Sequence, residues 1–207
     1  MNSAARDWSF STGARQASLK RVTRETQIEL ALALDGEGRV QLDTPVPFLN
    51  HMLELWAHHG RFDLCVEARG DVEVDAHHTV EDIAICLGQA FLQALGEKKG
   101  ITRYGQAWVP MDESLAQCVV DLSNRPHLEF RAALPDARVG SFPSELVHEF
   151  FWKLALESRM TLHLIVHYGA NTHHQIEAMF KAAGRAMRAA VERDERLVGV
   201  PSTKGVL

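Results

Sequence analysis

Ile28, Leu30, Leu32 and Leu34 alternate with polar or small residues, the period of a strand. Asp35-Gly36-Glu37-Gly38 turns the chain, Val40 and Leu42 return it, and Pro45-Val46-Pro47 closes the hairpin. Asn50 is then placed to cap a helix running through His51, Met52, Leu55 and Trp56 to Gly60. Strand alternation resumes at Phe62, Leu64 and Val66 and continues at Val72 and Val74. From about His77, the residues Ile83, Ala84, Leu87, Phe91 and Leu95 share one helical face, and Gly96 supplies the stop.

The second half follows the same order. Strand-like runs at Leu115 to Leu122 and Leu128 to Ala132 precede a helix capped by Ser144 and carrying Leu146, Phe150, Leu154 and Ala155 inward. A strand from Thr161 to Tyr168 leads to a last helix over roughly His173 to Glu192. The pattern predicts an α+β fold of duplicated β-β-α-β-α halves, with mixed sheets and helices packed on one face of them. Residues 1–17 lack periodicity and read as a flexible arm; 18–100 and 101–207 read as the two halves of one compact unit.

A fixed offset between similar segments is the mark of duplication. DAHHTVED begins at Asp75 and NTHHQIEA at Asn171, so His77, His78 and Glu81 recur 96 positions later as His173, His174 and Glu177. His51 lies 26 residues before His77, and His148 and Glu149 lie 25 and 24 before His173. On a helix, Glu81 stands beside both histidines of its unit, whereas adjacent imidazoles point about 100° apart and so serve different ions. Two HHxxE units and one ligand from each preceding helix make eight ligands, enough for two ions with open positions. Nitrogen and carboxylate donors without thiolate favour Mn, Fe, Co, Ni or Zn over Ca or Mg.

Composition narrows the partners. The chain has 207 residues, 46% of them hydrophobic, and a formal charge of -5, which excludes a dominant nucleic-acid or anionic-membrane surface. No apolar run approaches a membrane span, and the opening MNSAARDWSF has no signal-peptide core. Three cysteines without CxxC spacing suit a reducing cytoplasm, the expected location. Isolated histidines such as His127 and His163 read as hydrogen-bonded structural residues. His58 and His59, at a helix end, serve its dipole, and Arg61 is solvated.

V74-DAHHTVEDIAIC-L87 and G169-ANTHHQIEAMF-K181, with FLNHML, RVTRET, DLSNRP and the terminal PSTKGVL in order, resemble the signature segments of the imidazoleglycerol-phosphate dehydratase family over about residues 18–207. That resemblance implies loss of water from imidazole glycerol phosphate to give imidazole acetol phosphate in histidine biosynthesis, two Mn²⁺ per site, and a 24-subunit homo-oligomer. It implies metal ligands at His51, His77, His78, Glu81, His173, His174 and Glu177. Glu25 enters as an acid/base residue, grouped with Glu81 and Glu177 as catalytic. Arg103, Arg125, Lys181, Ser202 and Lys204 are implied for the substrate phosphate, which calls for cations and hydroxyl donors. For the eighth ligand the resemblance favours Glu149, before the FF pair, and the repeat also admits His148. Asn50 stands where the family commonly has Asp, a change that touches only the bonding around His51.

The chemistry is demanding, because the C–H bond to be broken adjoins an imidazole and has no carbonyl to stabilise a carbanion. A metal on the ring nitrogen favours the imidazolate, whose electrons can expel the side-chain hydroxide through a diazafulvene-like intermediate. Two other classes share some of these features: a dinuclear metallohydrolase of a phosphorylated substrate, and a non-enzymatic metal-storage protein such as a ferritin-like bundle.

Overall fold

The computed structural model describes residues 15–207 together with Phe10 and Gly13. The alternation at Ile28 to Leu32 becomes β2 (Thr26–Ala33), which pairs antiparallel with β1 (Gln16–Val22) and with β4 (Asp63–Gly70). β3 (Val40–Asp43) runs parallel to β4 and is joined to it through α1 (Pro47–Gly60), so the first sheet has the order β1-β2-β4-β3. α2 (His77–Leu95) ends the half.

β5 (Tyr104–Met111), β6 (Ser114–Asp121), β7 (His127–Arg131), α3 (Glu145–Glu157), β10 (Thr161–Tyr168) and α4 (Thr172–Val191) repeat the plan, with sheet order β5-β6-β10-β7 and the same parallel and antiparallel senses. A short hairpin, β8 (Arg138–Val139) with β9 (Phe142–Pro143), is inserted before α3. The fold is α+β with duplicated halves.

The helices lie on one face of each sheet and pack against those of the other half: α1 on α4, and α2 on α3. Two glycines set how closely they approach. A Cβ on Gly88 of α2 would sit 3.0 Å from the Leu154 carbonyl of α3, and one on Gly184 of α4 would sit 2.3 Å from the Trp56 carbonyl of α1. These glycines are 96 positions apart, the offset of the HHxxE units. Trp56, Phe62, Phe91, Phe150, Phe151 and Phe180 are fully buried around these crossings. Their rings meet in tilted and edge-on pairs, such as Trp56 with Phe62 at 4.7 Å and Phe151 with Phe180 at 4.7 Å.

Several expectations change. Each half opens with one more strand than the pattern predicts, β1 or β5, giving β-β-β-α-β-α. Both lie at a sheet edge, where one face stays wet and the hydrophobic signal is thin. In β5 the signal is weaker still, because α4 presses so near that a Cβ on Gly105 would meet the Ala186 carbonyl at 1.9 Å.

Val72 and Val74 are exposed in a loop after β4 rather than paired. α1 begins at Pro47, whose fixed φ suits the first helical position, so Asn50 lies inside the helix and hydrogen-bonds Thr44. Ser144 precedes α3, but its hydroxyl donates to the Asp136 carbonyl rather than capping the helix. The arm expected over residues 1–17 falls mostly outside the described residues, and Gln16 and Ala17 belong to β1.

Candidate active site

Each HHxxE unit opens a helix. Asp75, just before α2, accepts the His77 N–H at 2.7 Å, and the Asn171 side chain caps α4 by accepting the His174 N–H at 3.2 Å. The adjacent rings stand nearly perpendicular, at 82° for His77 and His78 and 83° for His173 and His174. Their divergence follows from the helical step between neighbouring residues.

α1 and α4 bring His51, His173 and Glu177 together, with one ligand atom from each within 4.8 Å of the others. Glu177 Oε2 lies 3.5 Å from His51 Nε2 and 3.2 Å from His173 Nε2. Lys181, one turn along α4, reaches the other oxygen at 2.6 Å. Burial pushes the Glu177 carboxyl up, but the bond from Lys181 and the imidazoles of His173 and His51 outweigh it and hold the group below the usual range. An ionised carboxylate beside two imidazoles is a donor set that fits a borderline divalent cation.

The other helix pair gathers a related group. Lys153 on α3 lies 2.8 Å from Glu81 and 3.5 Å from Glu149, so Glu149 faces the carboxylate of the first HHxxE unit. Those two acids, Glu81 first, raise the Lys153 pKa. His148 instead meets Phe130 edge-on at 5.2 Å. Among the described residues, His51, His173 and Glu177 are the one group of three at ligand spacing, and no such group joins the two HHxxE units.

The second histidine of each unit is held by a carboxylate. His78 Nδ1 lies 3.0 Å from Asp71 and 3.8 Å from Glu25, which the turn between β1 and β2 carries. His174 Nδ1 lies 2.7 Å from Glu113, which the turn between β5 and β6 carries. Glu113 also accepts the backbone N–H groups of Ala170 and Asn171. These contacts raise the pKa of both imidazoles, through Asp71 for His78 and Glu113 for His174, and the His174 bond first among several holds the Glu113 carboxyl far below its ordinary range. Sequence reasoning missed Asp71, Glu113 and Lys153. Lys153 was findable as the residue one turn after Glu149, whereas Asp71 is brought back by the loop that leads into α2 and Glu113 by the β5–β6 turn, which only the fold sets beside α4.

The residues expected at the phosphate fall into two places. Arg103 forks onto Asp121 at 2.7 and 3.1 Å and donates to the Pro201 carbonyl at 2.8 Å, next to Ser202. Arg125, largely exposed, reaches the same Asp121 at 3.4 Å. The Ser202 hydroxyl accepts the Lys204 N–H at 3.3 Å, a turn that presents both residues on the exposed tail. Lys181 is elsewhere, beside Glu177. Arg103 N–H bonds the Ala190 carbonyl, nine residues further along α4, so roughly 14 Å of helix separates Lys181 from the arginine pair.

The family model for imidazoleglycerol-phosphate dehydratase matches residues 44–187. The imidazoleglycerol-phosphate dehydratase of Geobacillus kaustophilus is 65% identical over 194 residues, covering 94% of this chain and 100% of its own. That of Bacillus subtilis is 64% identical over 193 residues, covering 93% and 100%. Among solved structures, imidazoleglycerol-phosphate dehydratase from Staphylococcus aureus superposes with a TM-score of 0.79 at 42% identity, covering 86% of this chain and 99% of that one. The enzyme from Pyrococcus furiosus, in complex with (S)-C348, gives 0.79 at 36% identity and covers 91% and 100%.

Proposed function

The chain belongs to the imidazoleglycerol-phosphate dehydratase family, and from that premise we propose how its residues remove water from imidazole glycerol phosphate to give imidazole acetol phosphate. The observation that carries the reading is the convergence of His51, His173 and the ionised Glu177, with Lys181 attached. A storage bundle has no use for Arg103, Arg125 and a hydroxyl-bearing tail around one carboxylate.

The donor chemistry fits Mn²⁺, two ions per site, with His51, His77, His78, Glu81, Glu149, His173, His174 and Glu177 as ligands. Glu149 is preferred to His148 because it shares Lys153 with Glu81. Bound there, the metal supplies Lewis acidity toward the substrate's imidazole ring. Glu25, on an exposed turn 3.8 Å from His78, is placed to take or return a proton at its carboxylate oxygen. Arg103, Arg125, Lys181, Ser202 and Lys204 hold the phosphate dianion, Lys181 from its place beside the Glu177 carboxylate in a site completed by a neighbouring copy.

His78 and His174 do not join the three-residue group within one chain, which supports sites completed by a neighbouring copy; the closed homo-oligomer of 24 subunits is proposed from the family resemblance. Among the described residues no helix is long and apolar enough to cross a membrane. A cytoplasmic location agrees with three free cysteines, two of them buried. The deciding experiment incubates the purified protein with imidazole glycerol phosphate and Mn²⁺. Imidazole acetol phosphate, seen by mass, is expected; release of inorganic phosphate without it would overturn the reading in favour of a metallohydrolase.

A further inference from the structure

The segment joining the two halves is unusually constrained. Between Gly96 and Arg103, four residues take positive φ: Gly96 at 58°, Lys98 at 56°, Gly100 at 63° and Arg103 at 71°. Two of them are not glycine, and the left-handed region is costly for any residue with a Cβ. Asn124, in the turn after β6, does the same at 58°. Such backbone persists where surrounding contacts over-determine it.

Lys98 supplies one of those contacts. Its side chain is almost wholly buried, with the residue 3% exposed, and its ammonium donates to the Leu122 carbonyl at 3.3 Å and to Asn124 Oδ1 at 2.6 Å. Both partners are neutral. Of the charges around it, Arg159 and Arg103 repel and Asp121 attracts, but Asp121 is already forked by Arg103. Burial, then Arg159, pushes its pKa down to about 8. A buried ammonium in a surplus of positive charge does not repay its own desolvation, so packing alone gives no reason for it.

The acceptors show what it does. Leu122 and Asn124 flank Ser123, whose hydroxyl accepts the Arg125 N–H at 3.2 Å, so the turn that launches Arg125 is pinned at both ends. The same connecting segment ties down the tail: Gly100 N–H bonds the Gly199 carbonyl at 2.9 Å, and Arg103 bonds that of Pro201. A cavity of about 460 Å³, lined by Lys98, Asn124, Arg159, Val200 and Leu207 among others, lies between turn and tail. We propose that Lys98 is a positioning residue for the substrate's phosphate, its ammonium fixing the Ser123-Asn124-Arg125 turn so that Arg125 stands ready beside Arg103. The inference rests on the reading of Arg103 and Arg125 as phosphate ligands.

Three variants and one double variant test it: Lys98→Met, Arg125→Ala, their combination, and Asn124→Gly, which keeps the positive φ while removing the acceptor. KM for imidazole glycerol phosphate and the inhibition constant of inorganic phosphate are measured for each, with thermal melts to monitor folding. Lys98→Met is expected to raise both constants about tenfold, with the smaller effect on kcat. Because Lys98 acts through Arg125, the double variant should bind phosphate no worse than Arg125→Ala alone. Additive losses, or an unchanged KM in a folded Lys98→Met protein while Arg125→Ala is impaired, overturn the role of Lys98 and leave the phosphate reading intact. An Arg125→Ala protein with unchanged KM overturns both. If Lys98→Met does not fold, Asn124→Gly decides, since it breaks the same bond on an accessible turn; a normal KM there rejects the proposal.

Discussion

The Glu113 carboxylate lies 2.7 Å from Nδ1 of His174, so that in the proposed ligand set Nε2 is the nitrogen that would bind the metal. Asp71 does the same for His78 at 3.0 Å. A carboxylate behind an imidazole fixes the tautomer and the ring orientation and makes the outer nitrogen a better donor.

Glu113→Gln and Asp71→Asn should therefore each weaken metal binding by roughly 10- to 100-fold without removing a ligand. Competition of each variant with a fluorescent chelator for Mn²⁺ measures this. Wild-type affinity in both would show that the histidines need no such support.

Glu25 acts on protons rather than on metal in the proposed scheme. Glu25→Gln preserves shape, so metal content and substrate binding should persist while kcat falls by about 10²-fold or more. Loss of metal from this variant would move Glu25 into the ligand set instead.

Occupancy should depend on both halves of the repeat. His78→Ala and His174→Ala are each expected to lower bound manganese and abolish dehydration, whereas His127→Ala, an exposed strand residue, should change neither. Elemental analysis of the purified proteins reports the outcome. Full metal in either ligand variant removes that residue from the site.

The Arg15 pair with Asp35, at 2.6 Å, holds the start of β1 to the turn after β2. The bond from Arg15 brings the Asp35 pKa from 3.8 down to about 2. A depressed folded pKa means stability that is present above pH 4 and is lost as pH falls toward 2. Asp35→Asn should lower Tm at pH 7 by about 2 °C, the pair being partly solvated, and the difference should shrink as the melts approach pH 2. An equal Tm deficit at both ends of that range would show that charge is not the cause.

Gly88→Ala and Gly184→Ala place a methyl against a carbonyl at a helix crossing. Overpacking of this kind costs about 1–3 kcal/mol, which for a chain of this size lowers Tm by roughly 2–12 °C. Gly184 should suffer more, since its added Cβ would meet Trp56 at 2.3 Å. Thermal melts of the two variants decide it, and an unchanged Tm would mean that the helices can slide apart freely.

Much of this was legible beforehand, and the exceptions have physical causes. The helices announce themselves through Leu87, Phe91, Phe150 and Leu154 because each buries a full apolar stripe. β1 and β5 stay hidden because an edge strand needs little apolar surface, and β5 substitutes Gly105 where a helix presses. The HHxxE units are read easily because their histidines and glutamate lie within one helical turn. Asp71, Glu113 and Asp121 could not be read that way. Their partners, His78, His174 and Arg103, are 7, 61 and 18 residues away, and the loop between β4 and α2, the β5–β6 turn and the pairing of β5 with β6 bring them together. Lys98 was invisible for another reason: in sequence it is one of two adjacent lysines, and burial alone separates it from its exposed neighbour.

The helix crossings α1 on α4 and α2 on α3 give the single chain an internal dyad. The first helix of one half meets the second helix of the other, and the reverse contact recurs, each crossing built on its own copy of one glycine. Reciprocal contacts of this kind are what two identical molecules make about a dyad. A half-length polypeptide with this sequence plan would leave its helix layer uncovered alone and cover it on meeting its twin. The present protein is packed as a homodimer would be, with the two partners carried on one chain and matching positions of the HHxxE helices 96 residues apart.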